Sequence, residues 1–367
     1  MLVKALSRQN IDPGTVEAAE KAAQQALDSL WKERWINDSV TRRDERLLAD
    51  LAGWAEDIRS RADLVIVVAG EEREAINGVL RAVPGSAGSP EVIVWDGSMS
   101  SGDFAGLIEK IDARSTVMIA VSGGSEPLEQ RTAYAVIKQA IFAAHHDEEG
   151  DKIYAVCPRG MGVIAMDAEE NVYPMTEWPA GSGWMPANTA AVLLPLMIKG
   201  ADCAAFLKGF YDTVGSPEWD AGAPVPAYVI AGALSGGGSV EVFSWQRETR
   251  GLARRFAGTA EGRMIDMPSG RGISAVHGAG SDAGLRILIA SDAGHQDIMT
   301  PPFEGCDPDG SLELLVKSEA DREFFGSAED DGIPGFKFCT EELDARSAGA
   351  LTAYLEMTLW LARWFRA

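Results

Sequence analysis

Ser115-Thr116-Val117-Met118-Ile119-Ala120-Val121 runs without a break into Ser122-Gly123-Gly124-Ser125. A segment follows whose apolar residues, Leu128, Ala133, Val136, Ile137, Ala140 and Ile141, fall on one helical face. The first seven residues are too few to cross a bilayer and dense in Val and Ile, so they predict a buried strand. Strand, small-residue loop and helix in that order form the repeating unit of an open parallel sheet. There the loop lies at the carboxyl end of the strand, and its backbone amides face the positive end of the next helix. An anion is the natural guest of such a loop. The competing reading of Ser122, Gly123, Gly124 and Ser125 is a plain strand-to-helix turn with a helix cap.

The same alternation extends in both directions. Leu64-Val65-Ile66-Val67-Val68-Ala69-Gly70 predicts a strand, and Ala75, Ile76, Val79, Leu80 and Val83 mark the helix after it. Residues 84–90, rich in Pro, Gly and Ser, form a loop before a strand at 92–95, a short helix carrying Phe104, Leu107 and Ile108, and a strand at 153–157. Upstream, one helix opens at Asp12-Pro13 and carries its apolar stripe as far as Trp35; a second holds Leu47, Leu48, Leu51, Trp54 and Ile58. Downstream, residues 170–186 are irregular and 190–198 form an apolar helix. A second αβ unit starts near Pro224, with a strand at 228–233, a glycine run at 236–238 and a helix over 240–256. Strands at 272–276, 285–290 and 312–317 and a terminal helix from 341 through 364 complete it. The expectation is an α/β chain of two doubly wound parallel-sheet (αβα sandwich) domains. We place an N-terminal helical segment at 1–60, the first domain at 61–215, the second at 216–340 and the C-terminal helix at 341–367.

Composition narrows the partners. With 55 acidic against 33 basic residues the net charge is −22, which leaves no basic cluster to hold a phosphodiester backbone, so nucleic acid is excluded as a partner. The four cysteines, Cys157, Cys203, Cys306 and Cys339, are scattered with no Cys-x-x-Cys pair, so neither a zinc site nor a disulfide framework is indicated. His145-His146 beside three carboxylates reads as a solvated turn in preference to a metal site. The glycine runs at 236–238 and 278–284 match neither a dinucleotide fingerprint nor a P-loop, so no cofactor is expected. The N-terminus has no apolar stretch of signal-peptide length, and no stretch reaches membrane-spanning length; the expectation is a cytoplasmic protein without a membrane partner.

Several motifs resemble the glucose-6-phosphate isomerase family, which is built from two sugar isomerase (SIS) domains. Leu64 to Leu80 is similar to the family's first glycine-rich strand and loop, and Val121-Ser122-Gly123-Gly124-Ser125-Glu126-Pro127-Leu128-Glu129 to its phosphate loop. Gly181-Ser182-Gly183-Trp184 resembles the Gly-Gly-Arg-Tyr-Ser motif, and Glu248-Thr249-Arg250-Gly251 the motif that carries the base. Gly278-Ala279 with the strand at 285–290 resembles the stretch that in the family holds Asp-Gln-His-Ser.

The resemblance implies aldose–ketose isomerisation of a hexose phosphate through an enediol, in a homodimer that serves glycolysis and gluconeogenesis. A carboxylate shuttles the proton, a His opens the ring and a Ser/Thr loop holds the phosphate. It assigns Glu248 as catalytic base and His277 as ring-opening residue. It assigns Ser122, Gly123, Gly124, Ser125, Gly70, Glu71, Gly183, Trp184 and Asp282 to substrate binding, with no metal. The sequence departs from the pattern at Glu71-Glu72, where the family has Gly-Ser, and at Trp184, where it has Arg. It departs again at Glu126, a carboxylate at a phosphate-loop position that would repel a phosphate held there. These departures keep a second reading open, a non-catalytic protein of the same fold that binds a sugar, another small ligand or a protein partner. Glu248 likewise has a second reading as an ion-paired residue on an exposed helix face with Arg247, Arg250, Arg254 and Arg255.

Overall fold

A computed structural model describes residues 3–6, 13–30, 45–145, 152–176, 186–214, 224–260, 263–266, 283–292, 321–322, 324–326, 328–329 and 333–366. In chain order the elements are β1 (Val3–Leu6), α1 (Pro13–Leu30), α2 (Glu45–Arg61), β2 (Leu64–Ala69), α3 (Arg73–Ala82) and β3 (Glu91–Val94). Then come α4 (Ser101–Asp112), β4 (Thr116–Val121), α5 (Leu128–His145), β5 (Ile153–Val156), α6 (Gly162–Glu170), β6 (Met175–Thr176) and α7 (Ala190–Ile198). The remainder is α8 (Cys203–Val214), α9 (Pro224–Ser235), β7 (Ser239–Ser244), α10 (Arg250–Thr259), β8 (Arg263–Asp266), β9 (Ala283–Ser291), β10 (Gly335–Thr340) and α11 (Ala345–Arg366).

The chain divides into two compact units, one of residues 42–80 and 85–203, the other of residues 1–41, 81–84 and 204–367. In the first, five parallel strands lie in the order β3-β2-β4-β5-β6. Leu64, Ile66, Val68, Met118 and Ala120 share a core with residues of α4, α5 and α6. Val65, Val67, Val117, Ile119 and Val121 on the alternate face are equally buried. Strands covered on both faces read as continuous apolar runs, which is why this sheet is visible in the sequence.

In the second unit the order is β1-β10-β9-β7-β8, parallel throughout except for β1 at the edge, which pairs antiparallel with β10. Setting β1 aside, the strands follow one another in the same pattern as in the first unit. Phe338 packs its ring against Phe256 of α10 and Tyr354 of α11, at centroid distances of 6.0 and 5.5 Å. Both units are doubly wound parallel sheets, and the chain closes on a long helix.

Two elements differ from the sequence reading. Residues 228–233, read as a strand, belong to α9. The short apolar run Tyr228-Val229-Ile230-Ala231 suits either state, but burial falls on Ala227, Ile230 and Ala231, the i, i+3, i+4 spacing of a helix, and this helix packs on α11. Residues 240–256, read as one helix, are β7, a turn and α10. β7 lies between β8 and β9 and is buried from Val240 to Ser244, Glu241 included. The strands expected at 272–276 and 312–317 lie outside the described residues. No helix among the described residues is long and apolar enough to cross a membrane.

Candidate functional site

The first unit reverses its strand order between β2 and β4, and the loops leaving these neighbours flank the place where open α/β sheets take their ligands. Ser122 begins the β4 loop fully buried; its N–H donates to Val156 O at 2.9 Å, and its Oγ accepts the Gly124 N–H at 3.1 Å. Gly124 has φ of +98°, a left-handed conformation that a side chain would strain. Gly123 and Ser125 are exposed. On the β2 side, Glu71 is exposed and Gly70 is packed so closely that a Cβ there would collide with Gln130 Oε1. Gln130, 3% exposed on the first turn of α5, donates from Nε2 to Val121 O at 2.6 Å. Ser122, Gly123, Gly124, Ser125, Gly70 and Glu71 are thus brought together on two loops of one crevice.

An anion does lie against these loops, and it is the protein's own. Glu72 Oε1 lies 2.5 Å from the position a Cβ would take on Gly123. Burial pushes the Glu72 carboxyl above the usual carboxylate range and the Glu71 charge adds to the rise, while hydrogen bonds from the backbone of Glu72, Gly70 and Gly123 hold it back. Glu126 corrects the sequence reading. Its carboxylate accepts the backbone N–H groups of Val163 at 2.7 Å and Ile164 at 3.2 Å, capping α6 from outside the helix. These amides have no partner within the helix, and a carboxylate suits the positive end of its dipole. Arg73, the nearest cation in sequence, turns its guanidinium towards Gly97 in the loop after β3.

In the second unit the equivalent reversal lies between β7 and β9, and Glu248 sits, half-buried, in the turn joining β7 to α10. It is therefore not on the exposed helix face of the alternative reading. Buried neighbours anchor it on both sides. Gln246 donates from Nε2 to Ser291 O at 3.0 Å and accepts the Ser291 N–H on Oε1 at 2.6 Å, clasping the end of β9 as another strand residue would. Thr249 Oγ1 shares a hydrogen bond with Ser244 Oγ at 2.9 Å and donates to Ile289 O at 3.3 Å.

Gly183, Trp184, His277 and Asp282 lie outside the described residues. Gln130 and Gln246 escaped the sequence reading because a glutamine carries no spacing signal; only the cross-strand partner gives it a role. Among the described residues no group of three His, Cys, Asp or Glu side chains could hold a metal ion. Burial pushes the thiols of Cys157 and Cys203 up to about 11 and about 12, so both stay protonated at neutral pH.

Two doubly wound units of one strand pattern, each with loops leaving the sheet at the strand reversal, define a tandem α/β fold. The chain has the fold of a hypothetical protein from Thermus thermophilus (TM-score 0.82, 18% identity, 100% of this chain and 95% of that one). It also has the fold of a glucose-6-phosphate isomerase from Chlamydia trachomatis (TM-score 0.77, 14% identity, 100% and 84%). In sequence it is 27% identical over 123 residues to the glucose-6-phosphate isomerase of Streptococcus thermophilus, covering 33% of this chain and 27% of the relative. It is 29% identical over 127 residues to that of Pediococcus pentosaceus, covering 34% and 28%. The chain thus spans little more than a quarter of the length of the curated relatives it matches. No family model matches it. It is similar to glucose-6-phosphate isomerases over about a third of its length and shares the fold of one of them.

Proposed function

We propose that the protein is an aldose–ketose isomerase of the glucose-6-phosphate isomerase type, with Glu248 as the general base that moves a proton between C1 and C2 of a sugar. The observation that supports this most is the anchoring of the Glu248 turn at the strand reversal of the second unit. Gln246 and Thr249 tie the turn to the end of β9, and a general base must be held within hydrogen-bonding reach of the proton it takes. A homodimer, His277 as ring-opening residue, and Gly183, Trp184 and Asp282 as substrate contacts belong to the same proposal on the strength of resemblance.

The test is the conversion of fructose 6-phosphate, and separately of free fructose, by purified full chain, beside Glu248→Gln. Turnover of about 1 per second on either sugar, lost in the variant, supports the isomerase. No turnover on both by folded protein sinks it. The position of Glu72 favours a second reading in that event, a protein of this fold that binds a sugar and does not convert it.

A further inference from the structure

The crevice of the first unit is lined by hydrogen-bond acceptors. Glu72 presents its carboxylate to the Gly123 backbone, and Glu71 is exposed beside it. Gln130 Oε1, shielded from solvent and packed against Gly70, has no hydrogen-bond partner among the described residues. Glu126 is engaged at the start of α6, and Arg73 turns its guanidinium towards Gly97. A phosphate offers mainly further acceptors and negative charge, and would have to enter a space where a carboxylate already takes the backbone donors. A hydroxyl group offers the donor that a carboxylate facing the crevice needs.

We propose that Glu72 is a built-in occupant of the anion cradle formed by the loops at Gly70 and Gly123, and that the crevice takes the neutral, hydroxyl-bearing part of a polyol or sugar instead of a phosphate. Glu72 is a specificity-determining residue on this reading. The reading is independent of whether Glu248 transfers a proton, because it concerns only what the first unit binds.

The experiment follows backbone amide NMR signals of the full chain during titration with inorganic phosphate and, separately, with fructose. In the wild type the Gly70 and Gly123 signals shift with fructose and stay fixed with millimolar phosphate. In Glu72→Ala the Gly123 signal shifts with phosphate and saturates, an affinity gain of at least about tenfold. Glu72→Gln, which keeps the side-chain shape and removes the charge, carries the same test should the alanine variant fail to fold. Wild-type protein that saturates with phosphate at Gly123 as tightly as the variants overturns the proposal. So do folded Glu72 variants that gain nothing, and a wild type that ignores fructose. The titrations read binding at Gly70 and Gly123 and the assay reads turnover, so a failed isomerase assay and a failed binding assay are separate results.

Discussion

The two units lay their parallel strands in the same order, and only the second buries ion-paired charges within its sheet. In the first, β2, β4 and β5 are apolar along their length, and the charge gathers in the loops at their carboxyl ends. In the second, charge runs through the sheet itself. Glu241 of β7 and Arg286 of β9 are register partners, both essentially excluded from water and paired at 3.3 Å. Lys337 of β10, 1% exposed, bridges Asp321 at 2.8 Å and Asp292 at 3.3 Å. Here the same architecture adds, to a buried apolar sheet that includes Val240, Val242, Leu285 and Ile287, pairing that depends on both partners. In the first unit it is held by burial, which each residue supplies alone.

That difference can be broken most strongly at Arg286. Arg286→Met strands Glu241 in the sheet and lowers unfolding free energy by about 3 to 5 kcal/mol. Adding Glu241→Leu recovers most of the loss, and a double-mutant cycle by urea unfolding in which the second change recovers nothing would show that the pair is not the unit of stability. Glu356 of α11, paired with Arg255 of α10 at 3.1 Å, tests the same contrast through pH. Burial raises its carboxyl to about 7 against the pull of Arg255, so the folded state keeps a proton that the unfolded chain has released. Stability from this group is full below pH 4.5 and is lost as pH rises towards 7, by at most roughly 3 kcal/mol. Glu356→Gln removes that slope. If wild type and variant run parallel across the window, the carboxylate is ionised throughout.

Gln246→Leu leaves the Ser291 N–H and C=O without their side-chain partner, a loss of about 1 to 3 kcal/mol. Hydrogen exchange at Ser291 accelerates in that variant while the first unit stays unchanged. The smallest effect is that of Ile119→Val in the first sheet, about 1 kcal/mol with no pH dependence between 5 and 8, read by thermal unfolding. A pH-dependent loss there would mean that the first unit is not held by burial alone.

How far the sequence could be read follows the same division. The first unit's strands stand out as Val- and Ile-rich runs with turn residues between them, and the loops at Gly70 and Ser122 follow from that periodicity. β7 contains Glu241 and is followed by several arginines, so locally it reads as the start of an amphipathic helix; pairing with Arg286, 45 residues on, helps make a buried glutamate tolerable in a strand. The error at 228–233 has another source, since a short apolar run has no period of its own and packing against α11 decided it. Around Gly70 and Ser122 the loops and their residue types were legible, and side-chain direction was not. Glu126 and Glu72 are both acidic residues on neighbouring loops, and nothing in their spacing says that one caps a helix while the other lies against Gly123.

The Glu126 cap ties the sequence of this loop to the stability of α6. Giving this loop the Ser/Thr residues of a phosphate binder would delete the acceptor of the Val163 and Ile164 amides, so each step towards phosphate first unties the start of α6. Such a change costs α6 its cap, about 1 kcal/mol, unless α6 gains another acceptor at the same time. The order of substitutions, more than their number, sets what this loop can become.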